Sequence, residues 1–233
     1  MPSLDRSLIA VFPAFAGVSG GELDHVLASA RSARRPKDSG VFSQGEEAGH
    51  FLLLLSGHIR VAQTSPGGHQ VIARYITEGE LFGIAVAMGR STYPATSVAA
   101  IDCVALDWPN SLWPDLQVRF PPFGASAHLT IGSRLQDTQA RVMEMSTEQV
   151  EQRIAHTILS LVKQSGRKTE SGIEIDFPIT GQDIAEMTGT TLHTVSRHLS
   201  GWESDVLVRS GRQKVTVTDP HELMLVAENR RRK

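Results

Sequence analysis

The stretch from residue 180 to residue 202 constrains the fold more than any other part of the chain. It reads TGQDIAEMTGTTLHTVSRHLSGW. Ala185 is small enough for two helices to cross closely, and Gly189 can adopt the left-handed backbone conformation of a tight turn. Val195 follows at the spacing of a residue that packs between the two helices. The pattern therefore predicts a helix-turn-helix.

The outward face of the second predicted helix is mostly polar. Side chains near the start of such a helix can reach base edges in the major groove of DNA. The candidate base-reading residues are Leu192, His193, Ser196 and Arg197. The candidate phosphate contacts, which would fix the register without reading sequence, are Gln182, Thr191 and Thr194. The alternative is an αα-hairpin inside a larger helical core, in which His193 and Arg197 have no special role.

Strand-like segments flank this motif. Residues 173–177 alternate between apolar and polar side chains, and the β-branched or apolar residues 206–208 and 215–217 lie on either side of Gly211. A strand before the motif and a hairpin after it predict a winged helix.

The composition is that of a globular protein. A chain of 233 residues favours two compact domains or one large one, and 40% hydrophobic with 21% charged residues argues against disorder. The formal net charge is −2, from 23 Lys+Arg against 25 Asp+Glu. From Thr190 to the end, eight basic residues face five acidic ones, so the basic excess is local. It includes the terminal cluster 230–233, which we expect to be solvated.

The cysteine content limits the possible cofactors. Cys103 is the single cysteine, so one chain cannot form a disulfide, a four-thiolate zinc site or a cysteine-bound iron–sulfur cluster. The longest apolar run spans only residues 51–55, and Asp5 and Arg6 interrupt the N-terminus where a signal peptide needs an apolar core. We therefore expect a cytoplasmic protein with no membrane association.

The first half of the chain is β-rich after a short helix. Ser19 and Glu22 form a capping box that predicts a helix start. From Pro36 to about Leu106, short β-branched and apolar runs alternate with turns, and residues 66–68, Pro-Gly-Gly, predict a hairpin. This texture indicates an antiparallel β-roll or jelly roll.

A long helix is predicted after this β-region. Between residues 123 and 145, six side chains recur near a 3.5-residue spacing: His128, Ile131, Leu135, Thr138, Val142 and Met145. The periodicity fits a dimer coil or an amphipathic helix folded back on its own roll equally well. The candidate dimer contacts are Ile131, Leu135, Val142 and Met145. A second capping box, at residues 146–149, predicts that a new helix and a new domain begin at Ser146.

These motifs together resemble the Crp/Fnr family of bacterial transcription regulators. The likeness covers almost the whole chain: FSQGE at 42–46, LLLLSGHIRV at 52–61, GELFG at 79–83, the long helix, and the DIAEMTGTTLHTVSRHL segment. The resemblance implies an α+β protein with an N-terminal cyclic-nucleotide-binding-like β-roll, a dimerisation helix and a C-terminal winged helix-turn-helix. The expected domains are residues 1–120, 121–145 and 146–220, followed by a C-terminal tail at 221–233.

The resemblance also implies partners. A homodimer would bind a palindromic operator in double-stranded DNA, with RNA polymerase as a further partner, and a signal in the β-roll would control it. The alternative from another class is a sensor domain that serves as a protein-interaction module without a DNA target. No enzyme is expected, because no hydrolase elbow, phosphate-binding loop, dinucleotide fingerprint or zinc-ligand spacing occurs in the sequence.

The chain departs from the cyclic-AMP-binding members at two places. Those members carry a glutamate after the glycine of the GELFG region, where this chain has Ile84, and an Arg-Ser pair further on, where this chain has Tyr93-Pro94-Ala95. Arg90 is expected to be an exposed loop residue rather than a substitute. Because a buried phosphate needs a positive partner, we expect no cyclic AMP binding.

The effector pocket is expected between the roll and the long helix. Its predicted residues are Leu81, Phe82, Gly83, Ile84, His128, Leu135 and Thr138. The TLHTVSR segment at 191–197 is similar to the nitrogen-oxide-responsive (NnrR/DNR-like) branch of the family. This similarity suggests nitric oxide sensed through haem, a possible cofactor, with His58 and His128 as candidate axial ligands. The alternative is that both histidines are ordinary polar residues.

Overall fold

The computed structural model describes residues 6–231, so the sequence predictions for Arg232 and Lys233 lie outside the described residues. The chain divides into two compact units. The first, the sensor unit, contains the chain up to Thr64 and Arg74–Asp137. The second, the helix-turn-helix unit, contains Ser65–Ala73 and the chain from Thr138 onward.

The sensor unit begins with helices. These are α1 (Arg6–Ile9), a 3-10 turn (Pro13–Phe15) and α2 (Gly20–Ala28). Ser19 caps α2, and its backbone N–H donates to the Glu22 carboxylate at 2.7 Å. The capping box predicted at this position is confirmed.

Eight strands follow, and they pair into two four-stranded antiparallel sheets. The strands are β1 (Arg31–Arg35), β2 (Gly40–Phe42), β3 (His50–Ser56), β4 (Ile59–Thr64), β5 (Gln70–Ile76), β6 (Leu81–Phe82), β7 (Thr96–Ala99) and β8 (Cys103–Pro109). Their orders are β1-β8-β3-β6 and β2-β7-β4-β5. The turn at 66–68 closes as predicted, since the Gly68 N–H donates to the Ser65 carbonyl at 2.9 Å.

The apolar run at residues 51–55 forms most of strand β3, which is buried on both faces. Phe51 and Leu53 belong to one buried cluster, while Leu52 and Leu54 belong to another on the opposite face. A strand that is buried on both faces loses the usual alternation of apolar and polar residues. Trp108 of β8 stacks on Phe51 with ring centroids 5.4 Å apart.

Two helices come next, α3 (Trp113–Arg119) and the long α4 (Pro121–Thr147). The helix break predicted between Met145 and Ser146 is wrong. Helix α4 continues through it, because the Ser146 hydroxyl donates to the Val142 carbonyl at 2.8 Å instead of capping a new helix. The next helix, α5 (Val150–Ser165), has its capping box at Gln149 and Gln152.

The rest of the helix-turn-helix unit alternates strands and helices. It contains β9 (Gly166–Thr169), β10 (Gly172–Ile175), α6 (Gly181–Thr188), α7 (Leu192–Ser204), β11 (Val208–Gly211), β12 (Lys214–Val217) and α8 (Pro220–Ala227). The strands form one sheet in the order β11-β12-β10-β9. Within residues 6–231, none of the helices combines the length and hydropathy needed to span a membrane.

The prediction that residues 221–233 form a tail is wrong for its first part. Helix α8 occupies Pro220–Ala227, and Leu223, Val226 and Ala227 are buried. Asp219 starts the helix by accepting the Glu222 N–H at 3.0 Å, and Pro220 follows at the first helical position.

Candidate nucleic-acid interface and sensor site

The first helix of the motif, α6, is capped at both ends. The Thr180 hydroxyl accepts the Asp183 N–H at 3.1 Å, and the Asp183 carboxylate accepts the Thr180 N–H at 2.8 Å. At the other end Gly189 has a φ of 64°, the left-handed conformation predicted for it. The chain therefore turns sharply where the helix-turn-helix pattern requires a turn.

The second helix, α7, is anchored by its apolar face. Val195 and Ile184 are fully buried, and Ala185 is 1% exposed, which leaves the two helices in close contact. The Thr191 hydroxyl caps α7 by accepting the Thr194 N–H at 3.2 Å. The predicted helix-turn-helix is confirmed in its turn and its packing.

The four candidate base-reading residues share the outward face of the first half of α7. Leu192 is 47% exposed, and His193, Ser196 and Arg197 are exposed as well. These positions recur one helical turn apart, so the structure brings them together on one side. Their exposure leaves this side of α7 accessible to the edge of a base pair.

The three candidate phosphate contacts differ in their surroundings. Gln182 and Thr191 are exposed, whereas Thr194 is half-buried. The hydroxyls of Thr191 and Thr194 lie 3.0 Å apart. The Gln182 amide donates one N–H to the Glu186 carboxylate at 2.9 Å, and its second N–H remains a possible donor to a phosphate.

Hydrogen bonds to α5 and β11 fix the side of α7 that faces away from the candidate base-reading residues. The Trp202 indole N–H donates to the Glu151 carboxylate of α5 at 3.2 Å, and His198 Nδ1 lies 3.7 Å from the same oxygen. At the far end the Glu203 carboxylate accepts the Ser210 N–H and hydroxyl of β11 at 2.5 and 2.7 Å. These bonds fix α7 against α5 and the hairpin, so its outward side chains have a rigid base.

The hairpin of β11 and β12 contributes cations that the sequence analysis did not assign to a site. Gly211 pairs with Lys214, which leaves Arg212 and Gln213 as a two-residue loop. Arg209 and Arg212 are exposed. The sequence signal for them was their position between the two predicted strands of the wing, together with the local basic excess.

A cavity of about 550 Å³ lies on another side of α7. Its lining residues come from α5, α7, α8 and the segment after α8: Glu151, Arg197, His198, Gly201, Trp202, Asp205, Val226, Asn229 and Arg231. Arg231 Nη1 lies 2.7 Å from Asp205 Oδ2 at the end of α7. Arg197 therefore borders open space and has room to extend.

The predicted effector-pocket residues of the roll are buried. Leu81, Phe82 and Ile84 are at most 2% exposed. Gly83 has a φ of 67°, and a Cβ there would lie 3.2 Å from the His50 carbonyl, so glycine is needed at this position.

Tyr93, in the segment where the resemblance led us to expect no cation, is buried against β2 and β3. Its ring stacks on Phe42 with centroids 3.9 Å apart. Its hydroxyl donates to the His50 carbonyl at 2.7 Å and accepts the His50 N–H at 3.0 Å. Burial raises the pKa of Tyr93, so the phenol is neutral and offers no positive charge to a phosphate.

The other predicted sensor residues lie in more open surroundings. His128, Leu135 and Thr138 are exposed on α4, and His58 is half-buried. The His58 carbonyl accepts the Ala100 N–H at 2.8 Å. Among the residues that the structure describes, no three His, Cys, Asp or Glu side chains are grouped so as to hold a metal ion.

Comparisons with known proteins match both parts of the chain. Residues 34–117 match the cyclic nucleotide-binding domain, and residues 152–226 match the Crp-like helix-turn-helix domain. The cyclic AMP receptor protein of Thermus thermophilus is 27% identical over 89% of this chain and 93% of its own length. The transcriptional activator FnrA of Stutzerimonas stutzeri is 22% identical over 88% of this chain and 83% of its own length.

A solved structure supports the same fold. FixK2 from Bradyrhizobium japonicum superposes with a TM-score of 0.74 at 18% identity, over 84% of this chain and 96% of that one. The two domain matches and the near full-length relatives lead to one conclusion. The chain belongs to the Crp/Fnr family of transcription regulators.

Proposed function

We propose that this protein is a homodimeric transcription regulator that reads a palindromic operator with α7 and responds to a signal other than cyclic AMP. The observation that carries the proposal is the exposed face of Leu192, His193, Ser196 and Arg197 on a helix anchored from behind. A rigid helix with free polar side chains on its outer face is what major-groove readout requires.

The residues of the proposed DNA interface fall into base-reading and phosphate-binding groups. The planar guanidinium of Arg197 matches the O6 and N7 acceptors of guanine, so Arg197 supplies direct readout. Thr191, Thr194 and Gln182 supply phosphate contacts, which position α7 without reading sequence. The exposed Arg209 and Arg212 of the wing add further phosphate contacts.

The candidate dimer seam is a largely exposed apolar stripe on α4. Leu135 and Val142 are both 58% exposed, and Met145 is 51% exposed. Ile131 differs, because it packs partly against the core of the sensor unit. A second copy of the chain would cover this stripe, and two copies would place two recognition helices about one DNA turn, roughly 34 Å, apart.

Two more exposed apolar residues widen this stripe. Leu129 is 77% exposed and Met143 is 62% exposed. Both residues fall one position after members of the 3.5-residue pattern, His128 and Val142, and so lie outside the predicted seam. Their exposure supports a broader contact between copies than a strict two-position seam.

The signal is proposed not to be cyclic AMP, although the first relative above is named for it. Ile84 gives no carboxylate to a ribose, and the segment 93–95, where the resemblance implies an Arg-Ser pair, holds no arginine. Calorimetry with cyclic AMP is therefore expected to show no binding heat. A tight site would overturn this part of the proposal.

Nitric oxide sensed through haem remains the specific hypothesis from the similarity of residues 191–197 to the nitrogen-oxide-responsive branch. Titration of the purified protein with haem should give a saturable one-to-one absorption band, weakened in His58→Ala or His128→Ala. Absence of saturation, or indifference to both substitutions, would reject haem ligation by these residues and leave DNA binding untouched.

The proposed function is tested by fluorescence anisotropy with palindromic and scrambled DNA fragments. The palindrome should bind with a steep salt dependence and higher affinity than the scrambled fragment. Equal affinity for both fragments, together with capture of a protein partner through the sensor unit, would favour the interaction-module alternative.

A further inference from the structure

The cavity beside α7 lies within the helix-turn-helix unit and borders the proposed base reader Arg197. It has a volume of about 550 Å³, and its lining comes from α5, α7, α8 and the segment after α8. Asn229 turns the chain after α8 with a φ of 54°, and Arg231 then reaches Asp205 at the end of α7. The cavity is therefore separate from the effector pocket expected in the β-roll.

The charged residues of this cavity differ in whether the protein pairs them. Asp205 and Arg231 form an ion pair, with Oδ2 2.7 Å from Nη1, and Arg231 Nε also lies 3.7 Å from Glu222 Oε2. Arg197, by contrast, is exposed and makes no hydrogen bond or ion pair with the residues from 6 to 231. Its guanidinium is the unpaired cation of the cavity.

Glu151 supplies the corresponding negative charge. Its Oε1 accepts the Trp202 indole N–H at 3.2 Å and lies 3.7 Å from His198 Nδ1. Its Oε2 accepts no hydrogen bond from the described part of the chain. Arg197 lines the same cavity as Glu151, yet the two do not form an ion pair with each other. A guanidinium and a carboxylate oxygen thus face one space with hydrogen-bonding capacity left over.

Apolar surface and open space complete the lining. Trp202 is 2% exposed and Val226 is 6% exposed, and both border the cavity. A Cβ built on Gly201 would meet no heavy atom within 4 Å, so the cavity is open at this position. Gly201 follows Arg197 by one helical turn, about 6 Å along the axis of α7.

We propose that this cavity binds a small zwitterion with a carboxylate at one end, an ammonium at the other and a short apolar chain between them. Arg197 donates to the carboxylate, because a planar guanidinium binds carboxylates through two parallel hydrogen bonds. Glu151 Oε2 accepts from the ammonium, and the chain packs over Gly201, Trp202 and Val226. An ω-amino acid has this chemistry, whereas a simple anion or cation leaves one of the two charges without a partner.

A bound zwitterion withdraws Arg197 from DNA. The guanidinium cannot donate its parallel hydrogen bonds to a ligand carboxylate and to the O6 and N7 of guanine at the same time. The ligand and the operator therefore compete, and each lowers the affinity for the other by the same factor. This consequence rests on the proposed function, whereas the binding site itself does not.

The test is calorimetry on the full-length protein at constant ionic strength. The probes are γ-aminobutyrate and ε-aminohexanoate, and the single-charge controls are hexanoate and hexylamine. We expect saturable binding of at least one zwitterion, about tenfold or more tighter than either control, because each end makes a charge-assisted hydrogen bond. The proposal is overturned if neither zwitterion binds, or if hexanoate or hexylamine binds as tightly.

Variants locate the binding in this cavity. Glu151→Gln keeps an acceptor for the Trp202 indole and removes the charge, so it should weaken zwitterion binding about tenfold. Glu170→Gln makes the same change at an exposed residue outside the lining and should alter the affinity less than about twofold. Gly201→Leu fills the cavity from a position with open space, so it should fold, as thermal unfolding checks, and bind no zwitterion. Wild-type affinity in Glu151→Gln or Gly201→Leu would place the ligand elsewhere and contradict the proposal.

Fluorescence anisotropy with the palindromic fragment tests the competition. The zwitterion that binds better should weaken DNA binding by the wild type as its concentration rises through saturation. Unchanged DNA affinity at saturation would show that Arg197 does not hold the carboxylate and would overturn its assignment. Zwitterion binding by a protein that binds no DNA contradicts the proposed function and not this site.

Discussion

Gly189 and Met145 are in contact at the turn of the helix-turn-helix. A Cβ built on Gly189 would lie 2.7 Å from Met145 Cε, and the Gly189 φ of 64° already disfavours any residue with a side chain. The turn therefore requires glycine for its backbone, whereas the flexible end of the Met145 side chain could move aside for a Cβ. Met145 is the last residue of the predicted seam, so the end of α4 touches the element that positions α7.

Gly189→Ala should lower the free energy of unfolding by about 1–3 kcal/mol, because alanine is strained at this φ. Gly201→Ala is the matched control. Gly201 lies in α7 with open space where its Cβ would go, so alanine there should raise stability by up to about 1 kcal/mol. Urea denaturation followed by circular dichroism measures both. Equal stability of the wild type and Gly189→Ala would show that the turn tolerates a side chain.

The helix-turn-helix could be predicted from the sequence because each of its requirements is local. A small residue at Ala185, a left-handed turn at Gly189 and an apolar Val195 are tied to fixed offsets, and neighbouring residues alone satisfy them. The capping box at Ser19 was confirmed for the same reason. Hydrogen bonds between residues that are close in the sequence can be predicted from the sequence alone.

Other sequence patterns are compatible with more than one structure. Ser146 with Gln149 matches a capping box, yet a serine hydroxyl can equally bond the carbonyl four residues earlier inside a helix, as it does here. The start of α8 was readable, since Asp219, Pro220 and Glu222 are a cap, a first-turn proline and a first-turn acid. The hydrogen bond from the Trp202 indole to the Glu151 carboxylate could not be predicted from the sequence, because 51 positions separate the two residues and only the tertiary fold joins them.

Arg197→Ala should remove the preference for one base in each half-site, at a cost of roughly 1–3 kcal/mol, because a bidentate contact to guanine is lost. Arg212→Gln on the wing should instead weaken binding to all sequences alike and reduce the salt slope by about 1 per half-site. Anisotropy titrations at several salt concentrations, with operators varied at single positions, separate the two effects. A uniform loss in Arg197→Ala would contradict its assignment as a base reader.

Leu135→Glu should produce monomers and abolish specific DNA binding, because a carboxylate in the seam would face its own copy. Val118→Glu is the control, since Val118 is 78% exposed on α3, away from the stripe. Sedimentation velocity reports the oligomeric state of both. If Leu135→Glu remains dimeric, the dimer contact lies elsewhere.

Tyr93→Phe should destabilise the sensor unit by about 1–3 kcal/mol, because it leaves the backbone N–H and carbonyl of His50 without their hydroxyl partner. The stacking on Phe42 is kept, so the roll should still fold. Thermal unfolding of the variant measures the loss. A stability within a few tenths of a kcal/mol of the wild type would show that water replaces the hydroxyl at no cost.

The most direct test of the central claim is selection of bound fragments from a random pool of double-stranded DNA by the full-length protein. The account predicts one enriched palindrome, with half-sites about one helical turn apart and with a guanine whose enrichment disappears in Arg197→Ala. Enrichment of no sequence above the starting pool, in the wild type and at low salt, would contradict the claim that α7 reads an operator.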